Sequence, residues 1–289
     1  MPCAAKAAPY SPLRLEARPL MQPSLTQIWS RFVTEPLQWI DDNSELPPGK
    51  VSPNTRCTLV FVVTAISLTM LSYAVLSSGV QYGVSGFALD LLGQISPELR
   101  QSVRPYDSLG RNIVWSLGCF TFYFLLPAIF VRRVFGHQLR DYGLNFDGFF
   151  KHLWIYVVMF IPVGCLVAIV ASEPDFQRQY PFYKNPQGIA DFLVWEFFYA
   201  LQFFSLEFFF RGFMLHGAKD RLGRFAIFAM VVPYTMIHFR KPLYETIGAV
   251  VAGSALGVLS LRTRSVMGGF LIHVAVAISM DVAALLMRT

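Results

Sequence analysis

The chain has 289 residues, 54% of them apolar and only 15% charged, with a mean hydropathy of +0.47. A soluble domain carries about a quarter charged residues, so this composition argues against a soluble fold, and the charges cluster between long apolar runs as they do in membrane proteins. The net charge of +6 does not point to nucleic acid, because the basic residues sit at the ends of apolar runs, where they set orientation.

Residues 1–56 are mixed in charge and rich in proline, and read as a cytoplasmic tail. The segment 1–22 is expected to be disordered; with Arg14, Glu16 and Arg18 and no apolar core it is not a signal peptide. Leu25, Ile28, Trp29, Phe32 and Val33 recur at helical spacing, so 24–40 is either a short helix on the membrane surface or an unstructured tail. Seven apolar spans follow, over 57–80, 112–131, 152–171, 189–217, 225–240, 244–261 and 266–286; the fifth and sixth are short against the roughly 20 residues a bilayer requires. The segment 81–110, with Pro97 and Pro105, reads as an amphipathic loop, and 172–187, with Pro174, Pro181 and Pro186, as a polar loop. The expectation is an all-α fold, a polytopic transmembrane bundle of about seven spans, organised as tail, an N-terminal membrane region over 57–187 and a core over 188–289. With the N-terminus in the cytoplasm, segments on that side carry about twice the Lys and Arg of the other side, among them Arg132, Arg133, Arg140, Lys219, Arg262 and Arg264. Cys3, Cys57, Cys119 and Cys165 show no CxxC spacing and read as small apolar side chains.

The fourth span, FLVWEFFYALQFFSLEFFFRGFMLHG, is interrupted by Glu196, Glu207 and Arg211. Glu207 and Arg211 are four apart and share a helix face. An intramembrane carboxylate costs several kcal/mol unless paired and usually marks function; a pair that only clamps helices is the plainer alternative. The fifth span places His238 one turn after Tyr234, and the seventh places His273 in an apolar run with Asp281 two turns later. Counted along helices from the cytoplasmic turns, Glu207, His238 and His273 lie at depths of roughly 15, 20 and 10 Å, so they share one broad layer. A Glu and a His sharing a water form a general base for attack on an amide. A second His can hold the oxyanion, and Arg211 can keep a carboxylate ionised. No cofactor is expected and a divalent metal stays open, although there is no HExxH; there is also no GxSxG.

Leu206-Glu-Phe-Phe-Phe-Arg-Gly212, Tyr234-xxx-His238 and His273, in this order and spacing, resemble the CPBP family of CAAX-processing and bacteriocin-processing intramembrane proteases. The likeness covers about 190–280 and includes the small-residue helix with Gly253 and Gly257 and the GGFLIH approach to His273. It implies a glutamate-dependent endopeptidase with Glu207, Arg211, His238 and His273 as site residues and Tyr234 and Asp281 in support. It also implies a membrane-anchored protein or peptide as substrate, and a multi-pass protein of the bacterial cytoplasmic membrane. Three positions depart from the family pattern. Leu206 stands where the family has the first Glu, usually the water-activating base. Tyr234 replaces a Phe, and Ala277 stands where Asn or Asp is expected. A non-catalytic relative that binds or scaffolds membrane segments is therefore the second reading. A transporter with a proton path through Glu196, Glu207 and Asp281 is the third.

Overall fold

The structure, a computed structural model, describes residues 24–287 apart from 44, 148 and 240. The disorder expected over 1–22 lies outside the described residues. Two compact units are present, Met1–Pro36 and Leu37–Thr289. In the first, Ser24 accepts from the Gln27 amide at 3.2 Å and so caps helix Leu25–Trp29, which widens into the π-helical turn Ser30–Thr34. Leu25–Thr34 are thus helical, and Trp29 is exposed.

The second unit is helical, with no strand among the described residues. Six of its helices are long and apolar enough to cross a membrane: α1 (Pro53–Val75), α3 (Pro97–Phe135), α4 (Phe149–Val170), α5 (Ile189–Leu222), α7 (Leu243–Thr263) and α8 (Met267–Leu286). The shorter apolar helix α6 (Phe225–Met236) brings the bundle to about seven spans. It is an integral, multi-pass membrane protein.

The boundaries depart from the sequence reading where proline punctuates a helix instead of preventing one. The segment 81–110 is not a loop: helix α2 (Ser78–Ile95) fills its first half. Ser96, extended at φ −156°, ends α2, and its hydroxyl accepts from the Leu99 amide at 3.3 Å with Pro97 in the first turn of α3. A missing amide is harmless there, because the first turn of a helix leaves its N–H groups unpaired anyway. Conversely, the span expected over 225–240 ends at Met236, within one turn of Pro233, whose ring removes a helical hydrogen bond.

α5 is the element around which the unit packs. It lies on α3 and α8, and its C-terminal part also meets α6 and α7. Phe208, Phe209, Phe210 and Phe213 are fully buried there. By contrast, only 11% of the apolar window of α4 is buried, against 33% for α5, so α4 turns most of its surface to lipid. At one end of the bundle, Arg56 on α1 pairs with Asp220 and donates to the Gly217 carbonyl on α5. At the same end the α7–α8 turn is laced to the loop after α3. Asn145 donates to the Arg264 carbonyl at 2.7 Å, Ser265 donates to the Asn145 carbonyl at 2.7 Å, and the Val266 amide donates to the Gly143 carbonyl. Arg264 takes a left-handed backbone (φ 54°) to turn the chain between the two spans.

Candidate active site

α5 carries the first two charged groups. Its α-helical part ends at Glu207 and it continues as a π-helix over Phe208–His216. Such wide turns inside helices recur at functional sites. Gly212 lets this stretch approach the loop after α3, since a Cβ there would meet the Tyr142 carbonyl at 2.8 Å. Glu207 and Arg211 have no accessible surface, and Arg211 Nη1 donates to Glu207 Oε1 at 2.9 Å. Neither charge would be tolerated alone at this depth; paired, each offsets much of the other's desolvation.

Two further elements close a ring around the pair. From α8, His273 brings Nδ1 to 2.6 Å from Glu207 Oε1. Its Nε2 lies 3.0 Å from the hydroxyl of Tyr234 on α6. The Tyr234 ring in turn sits under the Arg211 guanidinium, 3.9 Å from the ring centre, a cation–π contact. Glu207, Arg211, Tyr234 and His273 therefore form one closed set drawn from three helices. Phe203, one turn before Glu207, stacks on the His273 imidazole at 5.5 Å and fixes its plane. Gly269, one turn before His273, allows α8 to come this close, because a Cβ there would land on Glu207 Oε2. Oε2 itself, and Nε and Nη2 of Arg211, have no hydrogen-bond partner among the described residues. The ring is thus polar, buried and incompletely satisfied, a combination that needs a reason in a native site.

His238 joins the set through the backbone. It lies beyond the end of α6, half-buried, with Nδ1 at 2.8 Å from the Tyr234 carbonyl and its ring 4.9 Å from the Tyr234 ring. A carbonyl only accepts, so Nδ1 carries the proton and Nε2 keeps a free lone pair. The contact also satisfies a carbonyl in the last turn of α6, which is a sufficient structural reason for a His at this position. Glu207 is met by His273, and His238 reaches the set by way of Tyr234.

The remaining sequence candidates lie apart. Asp281 has no accessible surface and is engaged elsewhere: Trp195 Nε1 donates to it at 3.0 Å and the Phe182 amide at 3.3 Å. It is two turns, roughly 12 Å, beyond His273 on α8. Ala277, between them, packs with Leu109, Trp195 and Tyr199. Leu206 is buried in the main apolar cluster. Glu196 is buried with neither carboxylate oxygen hydrogen-bonded, three turns from Glu207 on the same helix. Among the described residues, no three His, Cys, Asp or Glu side chains are gathered so as to hold a metal ion. Sequence reasoning did not find Phe203 or Gly269 as parts of the site. Gly269 had a signal, the paired glycines one turn before His273; Phe203 had none, since the span is full of Phe.

Residues 188–279 match the model of a family described as type II CAAX prenyl endopeptidase Rce1-like. The matched segment runs from the start of α5 into α8 and contains Glu207, Arg211, Tyr234, His238 and His273. Over it the chain is similar to a family of CAAX-type membrane proteases, in agreement with the resemblance read from the residues. No curated protein and no solved structure matches the chain.

Proposed function

We propose that this protein is an intramembrane endopeptidase that hydrolyses a peptide bond in a membrane-anchored protein or peptide. The observation that carries this reading is the Glu207–His273 contact at 2.6 Å inside a ring that Arg211 and Tyr234 complete. A carboxylate held on one imidazole nitrogen fixes the ring's orientation and supports positive charge on it. His238 Nε2, with its lone pair free, takes a proton from a water lying between the two imidazoles. The water oxygen attacks the scissile carbonyl carbon, and the oxyanion accepts from the Tyr234 hydroxyl or from His273. His238 then returns the proton to the leaving nitrogen as the C–N bond breaks, giving one carboxylic acid, which keeps the second water proton, and one amine. Arg211 keeps Glu207 ionised throughout.

A second reading has specific support. Leu206 packs in the apolar core and Ala277 packs with Leu109, Trp195 and Tyr199, so two positions that carry chemistry in the family pattern are occupied structurally here, and Asp281, one turn on, is committed to Trp195 and Phe182. On that reading the ring is a clamp and the protein binds membrane segments without cutting them.

The two readings separate on turnover of a prenylated, membrane-anchored peptide by purified protein in bilayers. Glu207→Gln keeps the shape and removes the charge; under the protease reading cleavage falls by about 10² or more. Arg211→Lys also lowers it, because an ammonium cannot reproduce the flat fork over Tyr234. Wild type that binds such peptides and cuts none, with cleavage appearing only in Leu206→Glu/Ala277→Asn, assigns the chain to the second reading.

A further inference from the structure

A separate cavity of about 410 Å³ opens at the end of the bundle where the α7–α8 turn is laced to the loop after α3. Its lining comes from the ends of membrane helices and the turns between them: His216 and Lys219 near the end of α5, Arg264 from the α7–α8 turn, and Arg140 and Asp141 after α3. It therefore lies at one membrane face, the one that the charge distribution assigns to the cytoplasm. It is separate from the ring around Glu207, none of whose members line it.

Two of the lining groups, Lys219 and Arg264, present positive charge that the protein leaves unused. Lys219 is buried, 5% exposed, and no hydrogen bond or ion pair engages its ammonium among the described contacts. Arg264 spends its backbone carbonyl on Asn145, while its guanidinium makes no ion pair among the described residues. His216 is also buried; Ser260 holds its Nε2 at 3.1 Å, and Nδ1 has no partner. Ser260 donates its one hydroxyl proton to the Arg211 carbonyl at 3.4 Å, so its oxygen accepts from His216 Nε2 and the ring is taken up by the protein. The carboxylates nearby each have a partner: Asp220 pairs with Arg56 and accepts from the Leu46 amide, Asp147 pairs with Arg140 at 3.2 Å, and Asp141 accepts from the Gln138 amide at 2.9 Å. Glu45 is exposed at the rim.

We infer that this cavity binds a phosphate group at the membrane face, with Lys219 and Arg264 as its donors. A lysine whose stem is buried holds its ammonium at the cavity, where an anion forms a charge-assisted hydrogen bond with it, and cations gathered between helices at a membrane face bind lipid headgroups. The phosphate has two sources, the headgroup of a bilayer phospholipid or a soluble phosphate, and the same donors serve both.

The test uses full-length protein. Native mass spectrometry of protein extracted from phosphatidylethanolamine/phosphatidylglycerol bilayers counts retained phospholipid, and thermal melting in inorganic phosphate, against chloride at equal ionic strength, reports the soluble source. Wild type retains lipid or is stabilised by phosphate. Lys219→Met and Arg264→Asn each weaken that binding about tenfold or more, the loss expected for one charge-assisted hydrogen bond, and Lys219→Arg keeps it. Asn tolerates the left-handed turn, so Arg264→Asn folds even if Lys219→Met does not. Lipid retention without a phosphate effect identifies the headgroup; the reverse identifies the soluble ion. The inference is overturned if neither probe binds wild type, or if folded Arg264→Asn and Lys219→Met bind both probes as wild type does.

Discussion

Glu207 shows how much a single buried carboxylate constrains its neighbours. Its Oε1 serves Arg211 and His273 together, and its Oε2 lies against the bare backbone of Gly269. Gly269→Ala therefore tests the ring without altering any of its charged groups. The added methyl cannot sit where the oxygen is, so Glu207 or α8 must shift. Misplacement of a reacting group by about 1 Å costs up to about 10² in rate, and cleavage of the membrane-anchored peptide is expected to fall at least about tenfold. Substitution of neighbouring Gly268 serves as the comparison, because a methyl there meets the Tyr156 ring of α4 instead: Gly268→Ala should lower thermal stability more than it lowers per-molecule turnover. Leu206 poses the opposite question. It is 5% exposed and packed among the apolar residues of the core, so Leu206→Glu buries a carboxylate at a cost of several kcal/mol. A marked loss of thermal stability is the expected result; unchanged melting would show that position 206 meets a wet surface that the first glutamate of the family pattern could use.

Helix by helix, the sequence was informative where hydropathy and helix period act alone. The long apolar runs of α4 and α8 have the lengths expected, while α7, expected to be short over 244–261, reaches 21 residues and is long enough to cross; the four-residue spacing of Glu207 and Arg211 puts them on one face. Proline is an ambiguous signal in this chain: Pro97 opens a helix, and Pro162 and Pro233 lie inside helices. The position of the residue relative to a capping Ser decides between these, and that depends on backbone geometry at Ser96 that composition does not carry. Partnerships between helices were legible only as a shared depth. Which imidazole faces Glu207 is fixed by the packing of α5 against α8, with Phe203 and Gly269 as spacers, and by the early end of α6, which leaves His238 on a turn. Asp281 illustrates the same limit. Its spacing from His273 made it a candidate for the missing Asn or Asp, yet it joins α8 to α5 and to the loop before α5 through Trp195 and Phe182. Asp281→Ala leaves the buried indole N–H unpaired and should cost about 1.5–3 kcal/mol. Asp281→Asn retains an oxygen for Trp195 and should leave turnover close to wild type, whereas a loss comparable to that of Glu207→Gln would give Asp281 a part in the chemistry.

At the scale of the whole membrane unit, one end of the bundle is tied together by charge and the other by aromatic packing. At the first, buried Arg56 on α1 holds Asp220 and the Gly217 carbonyl of α5, and Arg224 pairs with Asp41 at 2.5 Å. Arg56→Met strands Asp220 beside an apolar wall and should cost about 3–5 kcal/mol, while Arg56→Met/Asp220→Leu, which removes both charges, should recover most of the loss. At the other end, Trp115, Phe182, Trp195 and Tyr199 stack around the segment that precedes α5. This division follows the positive-inside rule: basic residues in short loops are retained on the cytoplasmic side, and the loops at the charged end carry the excess of Lys and Arg. With Cys3, Cys57, Cys119 and Cys165 replaced by Ala, single cysteines at the exposed positions Asp147 and Asn185 report the two ends. In intact cells an impermeant maleimide should label Asn185→Cys and leave Asp147→Cys unlabelled until the membrane is opened. The reverse pattern would put the cavity beside Lys219 on the outer face and would require the ring around Glu207 to be reached from the opposite side of the membrane.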